Sequence, residues 1–317
     1  MHFKSDVGSG QPPFKCVVMW TPSLGAWRKK MNKKLILIIL ILLSLNKIFA
    51  FDKQNEVIEN LQNGNYETVK LLLQEWEKES KNNPDLMTGW FNYYLNRNLE
   101  YVNFEGYMGN GQYGIYSKAI YDEQDLKAAI SYLDKALKKY PYRMDIHFGK
   151  INSLLKAEHY SEGINAIIDF LEIYDKNKID WYWSYNQNFN DNKWNIDEVI
   201  TDALNSYCHL FDYTIERESI KKCLDEILKR FPKNVIFLNY LANYYATEKN
   251  YTKSIETLLE AYKYDKNDYI IVANLAFDYE DIENYKEAKK WFKILASMES
   301  EEAKMYGNEG LERLKNK

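Results

Sequence analysis

Between Val235 and Ser300 apolar positions recur three and four residues apart in two stretches, and the arrangement returns 34 residues later. Leu238, Leu241, Ala242 and Tyr245 fall at i, i+3, i+4 and i+7, which places them on one face of a helix. Asn250 breaks that pattern. Tyr251 opens a second helix that turns Ser254, Leu258 and Ala261 inward. Leu241 then returns as Leu275, Ala242 as Ala276, Tyr245 as Tyr279, Tyr251 as Tyr285 and Leu258 as Phe292. A fixed period of this length predicts helix-turn-helix units that bury their apolar faces only by stacking on one another. Small residues mark close approach of the helices at Ala242, Ser254, Ala276 and Ala288, and larger ones such as Phe292 and Leu295 fill the space around them.

Weaker copies precede this pair. Leu204, Tyr207, Cys208 and Phe211 make a first (A) helix, and Leu224, Ile227 and Pro232 its second (B) helix. Ile220 in the small position predicts a wider pair there. Ile151, Leu154, Tyr160, Gly163, Ile167 and Phe170 fit a copy over 144–177, with Lys150 off pattern, and Ala129, Leu133, Ala136 and Pro141 make a B helix before it. The pattern resembles the tetratricopeptide repeat. Leu238 and Val272 stand where that repeat usually has Trp, and Lys266 and Ser300 where it usually has Pro. The resemblance covers 125–177 and 201–302 and is weaker over 51–97. It implies an all-α fold: an α-solenoid of helix-turn-helix repeats with two aromatic and Gly-rich loop insertions. A C-terminal capping helix over 303–317, amphipathic through Leu311 and Leu314, would shield the last apolar face.

Residues 51–97 read as three helices, Asn55 to Gln62, Tyr66 to Ser80, and one opened by Pro84. The first insertion, 98–124, carries Gly106, Gly109, Gly111 and Gly114 among aromatics and predicts a flexible loop or small hairpin. Residues 109–114 spell G-x-G-x-x-G, but that motif binds dinucleotides only between a strand and a helix of a βαβ unit. The second insertion, 178–200, holds six aromatics within 181–194. Trp181, Trp183 and Trp194 allow two readings: packing over a widened joint between repeats, which is the expectation, or an aromatic platform for a glycan or envelope polymer. Asn188, Asn190 and Asn192 alternate as in a calcium loop, but Lys193 stands at the obligatory Gly and Val199 at the bidentate Glu.

Residues 35–45 read LILIILILLSL behind Met31-Asn32-Lys33-Lys34, ahead of Ala50. This order predicts a signal peptide over 31–50, with export to the periplasm or outside the cell and a mature chain from Phe51. The apolar core is short for a span, which takes about 20 residues, so membrane contact would arise only from an uncleaved segment. Residues 1–30 show no periodicity and predict a doubtful leader, with Met31 as the true start. Residues 1–50 hold eight of the 42 basic and one of the 46 acidic residues, which leaves the remainder at net −11. That argues against nucleic acid, which needs a basic footprint, and favours a basic partner.

No residue pattern names a reaction. His147, His159 and His209 are not spaced as metal ligands, no Ser lies in G-x-S-x-G, and no cofactor is implied. Cys208 and Cys223 lie on the two helices of one repeat, where free buried thiols are the expectation and a disulfide the alternative. By the resemblance, helix A lines a concave groove that takes a protein or peptide. Its candidate residues are Phe148, Asn152, Asn205, His209, Asn239, Tyr240, Asn243, Asn274, Phe277 and Lys304. Asn243, Asn274 and Lys304 partly resemble a carboxylate clamp, but Asn239 and Asn308 replace two of its cations. The chain therefore predicts an exported, non-enzymatic scaffold.

Overall fold

The computed structural model describes residues 48–107, 113–211, 213 and 215–317; the leader and the signal segment before Ile48 lie outside them. Thirteen helices fill these residues: α1 (Ile48–Gln62), α2 (Tyr66–Glu79), α3 (Pro84–Arg97), α4 (Glu123–Lys139), α5 (Met144–Lys156), α6 (Tyr160–Lys176), α7 (Ile196–Cys208), α8 (Arg217–Arg230), α9 (Val235–Thr247), α10 (Tyr251–Tyr264), α11 (Tyr269–Asp281), α12 (Tyr285–Ala296) and α13 (Glu301–Arg313). The fold is an all-α solenoid. Helix α1 begins earlier than the periodicity predicts, across the expected cleavage position. The described chain forms two compact units, one over 48–159 and 172–201, the other over 160–171 and 202–317.

The turns repeat as faithfully as the helices. Gly64, Glu158, Lys249 and Glu283 each take a left-handed backbone, with φ of 71°, 64°, 58° and 59°. Each is followed by Asn or His and then by a Tyr that opens the next helix. In each turn the amide after the left-handed residue reaches back five residues, as from Asn250 to Tyr245 O at 2.8 Å and from Asn284 to Tyr279 O at 2.9 Å. The left-handed residue itself bonds three back, as from Lys249 to Ala246 O at 2.9 Å. This is the Schellman ending, which satisfies carbonyls that the helix leaves open. Asn250 and Asn284 then cap the following helices by accepting from Lys253 N and Glu287 N.

In the first unit, Val57, Val69, Leu73, Trp76, Leu86 and Trp90 form one core. Ala129, Leu133 and Ala136 of α4 pack with Phe91 and Ile146 in a second. Helices α3 and α4 pair as one hairpin although 25 residues separate them. Arg97 closes their base: its Nε donates to Asp125 Oδ2 at 2.7 Å, and Asn98 Nδ2 donates to the same oxygen at 2.7 Å.

Of the two expectations for the intervening segment, the loop and the small hairpin, its described residues take the second, as an antiparallel ribbon. β1 (Glu100–Tyr107) pairs with β2 (Tyr113–Ile120) through eight residue pairs, from Glu100 opposite Ile120 to Tyr107 opposite Tyr113. Its composition is the physical reason: Tyr101, Val102, Phe104, Ile115, Tyr116 and Ile120 favour extended backbone. Gly109 and Gly111 of the G-x-G-x-x-G stretch lie outside the described residues, and Gly114 lies in β2 opposite Gly106, outside any βαβ unit.

In the second unit, Leu238, Ala242, Leu258, Leu275, Ala276, Ala288, Phe292 and Leu295 share one core. Ser254 is 1% exposed and its hydroxyl donates to Ala242 O at 2.9 Å, so the small residue also satisfies itself in the α9–α10 seam. Helix α13 is seated closer than Leu311 and Leu314 alone imply. A Cβ on Gly307 would lie 2.3 Å from Ala296 N, and one on Gly310 would lie 2.3 Å from Phe292 Cδ1. Leu314 is buried, whereas Leu311 only flanks the core.

Candidate functional site

The A-helix face of the second unit is where the candidate residues converge. Helices α7, α9 and α11 present them in register, and side chains link one A helix to the next. The Tyr240 hydroxyl donates to Asn205 Oδ1 at 2.9 Å and lies 2.5 Å from His209 Nδ1. Burial of the His209 ring pushes its pKa down to about 4, so the ring is neutral at pH 7. One repeat on, Asn274 Nδ2 donates to Asn239 Oδ1 at 2.7 Å. The offset between partners is 35 residues in both bonds, one more than the repeat period, because each joins neighbouring positions on successive A helices.

These bonds correct part of the predicted set. Tyr240, Asn274 and Phe277 are buried, not open to a ligand. Asn274 is 5% exposed and spends its amide on Asn239. Phe277 packs edge-on against Phe292, with the Arg313 guanidinium over its ring. The reason is the close stacking of successive A helices, which converts positions that line a face in an isolated hairpin into joints between hairpins. Asn205, His209, Asn239 and Asn243 stay half-buried on the same face. Lys304 is also half-buried, and its Nζ donates to Glu301 Oε1 at 2.7 Å. Burial on Asn239 takes Asn274 out of the clamp-like trio, while Lys304 pairs with Glu301 at the surface. Asp278, one turn beyond Asn274, is 6% exposed and was not anticipated.

Phe148 and Asn152, in α5, belong to the first unit. Phe148 packs edge-on against Trp183, with ring centres 6.1 Å apart. The 178–200 insertion is built around its own aromatics. Trp181 is fully buried, its indole N–H donates to Asn177 O at 2.8 Å, and its ring meets Tyr142, His147 and Tyr174. Phe189 is fully buried too, between Trp183 and Trp194. Two short strands, β3 (Tyr182–Trp183) and β4 (Gln187–Asn188), pair here, and Tyr182 N bonds Tyr142 O at 2.9 Å. Trp181 therefore leaves the platform reading, because burial removes its face from any ligand. Asn188 accepts from Asn190 N at 2.7 Å, and Asn192 Nδ2 donates to Asn188 O at 2.8 Å, so the alternating Asn residues close a turn.

One cluster had no sequence signal. Arg143 is 2% exposed, and its guanidinium grips Asp145 through Nε at 2.9 Å and Nη2 at 2.8 Å. The same Nη2 reaches Asp85 Oδ1, at the start of α3, at 2.7 Å. Beside it, His147 Nε2 donates to Pro141 O at 2.8 Å, and burial pushes the ring's pKa down to about 4. Cys208 and Cys223 are free and buried, and burial pushes both thiols above their ordinary range. Among the described residues, no three His, Cys, Asp or Glu side chains converge as a metal site.

The 34-residue spacing now has its physical content: buried small residues at Ala242, Ser254, Ala276 and Ala288, and one turn geometry used again and again. These hairpins resemble the tetratricopeptide repeat in period, small-residue seams and turn geometry. No family model matches the chain, and no curated protein matches it. Among solved structures, PilF of Pseudomonas aeruginosa is similar at a TM-score of 0.39 and 13% identity, over 60% of this chain and 77% of that one. MamA is similar at 0.38 and 14%, over 60% and 93%. The C-terminal part of a TPR repeat-containing protein from Cytophaga hutchinsonii is similar at 0.43 and 12%, over 83% and 82%. At these scores the likenesses carry no argument, and the helix-turn-helix repeat is read from the chain's own periodicity and turns.

Proposed function

We propose that this chain is an exported, non-enzymatic scaffold that holds a basic protein or peptide segment against the A helices of α7, α9 and α11. The observation that carries the reading is the pair of inter-repeat bonds, Tyr240 to Asn205 and Asn274 to Asn239. They fix a row of half-buried polar side chains whose spacing is set by the repeat. Asn239 and Asn243 lie one helical turn apart on that row, and an Asn amide offers both donor and acceptor to an extended backbone. The net charge of −11 after the signal segment favours a cationic partner and an association that weakens as salt screens it. Export rests on the basic, apolar, small-residue order of 31–50, and N-terminal sequencing of the secreted product tests it: Phe51 is expected, and a cytoplasmic product retaining residues 1–50 refutes it.

The binding test uses phage-displayed dodecapeptides selected on the full chain. Enriched sequences should be rich in Lys and Arg, and the Asn239→Ala/Asn243→Ala double variant should bind them at least tenfold more weakly, about 1.4 kcal/mol. Equal binding by the double variant would remove the site from this face.

A further inference from the structure

The β1–β2 ribbon is the most exposed apolar feature among the described residues. Tyr101, Tyr113 and Ile115 are 69%, 64% and 67% exposed and lie on the same side of the ribbon, because side chains alternate along each strand. Each strand has one pairing partner, so each also presents an open edge. The two edges differ. β1 carries Glu100 and Glu105, charges of the kind that guard an edge. β2 carries no acid, and its one charge, Lys118, is paired with Glu158 at 2.6 Å.

β2 is also complementary to itself when reversed. With a twofold axis through Ser117, an antiparallel copy sets Ile115 opposite Ala119 on one side of the sheet. On the other it sets Gly114 opposite Ile120 and Tyr116 opposite Lys118. Large thus meets small at Ile115 and Gly114, and the long cation meets an aromatic ring. Tyr113 falls opposite Tyr121, which lies at the base of the ribbon. No like charges face each other across this seam, and the carboxylates of β1 are left on the outer strands.

We infer that β2 docks on β2 of a second copy of this chain, joining two ribbons into one four-stranded antiparallel sheet with Ser117 at the twofold axis. The seam is small, so the dimer is weak, on the order of 10 μM, and an isologous contact of this kind closes at two copies.

Sedimentation equilibrium of the full chain across a concentration series tests it. Ser117 is exposed, and its hydroxyl donates to its cross-strand neighbour Asn103, so substitutions there spare the helical core. The wild type should dimerise. Ser117→Glu and Ser117→Lys should each weaken the dimer tenfold or more, by setting like charges face to face, and an equimolar mixture of the two should restore it. Circular dichroism melts of both variants, matching the wild type, show that the monomer is intact. A wild type that stays monomeric at 100 μM, as an order-of-magnitude ceiling for a useful contact, overturns the inference. So does a dimer that Ser117→Glu leaves unchanged, or a mixture that does not recover.

Discussion

Replacing Asn274 with Ala tests whether the A-helix row is a structural joint as well as a binding face. Asn274 is 5% exposed, and its amide donates to Asn239 Oδ1 at 2.7 Å. The lost hydrogen bond costs about 1 kcal/mol, and the space vacated by the amide costs about another. Alanine returns roughly 0.6 kcal/mol of helix propensity. The net expectation is a loss of about 1–1.5 kcal/mol in urea unfolding of the full chain. Asn239→Ala should cost at least as much although Asn239 is the more exposed residue, because it strands the buried amide of Asn274, a penalty of about 1–3 kcal/mol. The double-mutant cycle should give a coupling of about 0.5–1.5 kcal/mol. A coupling indistinguishable from zero, or an Asn274→Ala variant as stable as the wild type, refutes the joint. Asn243→Ala, half-buried on the same row, serves as the stability-neutral control.

Four further outcomes follow from the geometry. Lys249→Gly should raise stability by about 0.5–1 kcal/mol in the same assay, since a left-handed Lys pays a steric cost that Gly does not. Arg143→Ala should lose about 3–5 kcal/mol, because it leaves Asp85 and Asp145 facing each other without a cation. Trp181→Ala should lose about 3–5 kcal/mol and disrupt the 178–200 segment, as seen by loss of near-ultraviolet circular dichroism. For His147 the folded pKa is lowered to about 4 from its ordinary 6.5 by burial. Its contribution is complete above pH 6.5 and is lost as pH falls towards 4. Urea midpoints should therefore drop across that window, and His147→Gln should flatten the drop by on the order of 1–3 kcal/mol.

The repeats were legible because stacking imposes a strict code: Ala242, Ser254, Ala276 and Ala288 are small where helices touch, at a fixed period. The turns were legible at Asn250, but Lys249 and Glu283 carry no mark of a left-handed backbone, since only Gly64 advertises one. The ribbon over 100–120 was partly legible; its aromatics and glycines marked an insertion, while the pairing register depends on two strands meeting and appears only in the fold. The candidate row was found through the repeat positions. Which of its members face solvent was not, because burial of Tyr240, Asn274 and Phe277 is decided by the neighbouring repeat. Arg143 was invisible for the same reason: Asp85 lies 58 residues away in sequence.

Site-specific photocrosslinking tests the central claim most directly. A benzophenone amino acid placed at Asn243, on the A-helix row, should yield a discrete adduct in the native cells. The same group at Thr257, a half-buried position on B helix α10, should yield none. The adduct at Asn243 should fade as salt rises. Adducts at Thr257 without any at Asn243 would contradict a partner site on the A-helix face.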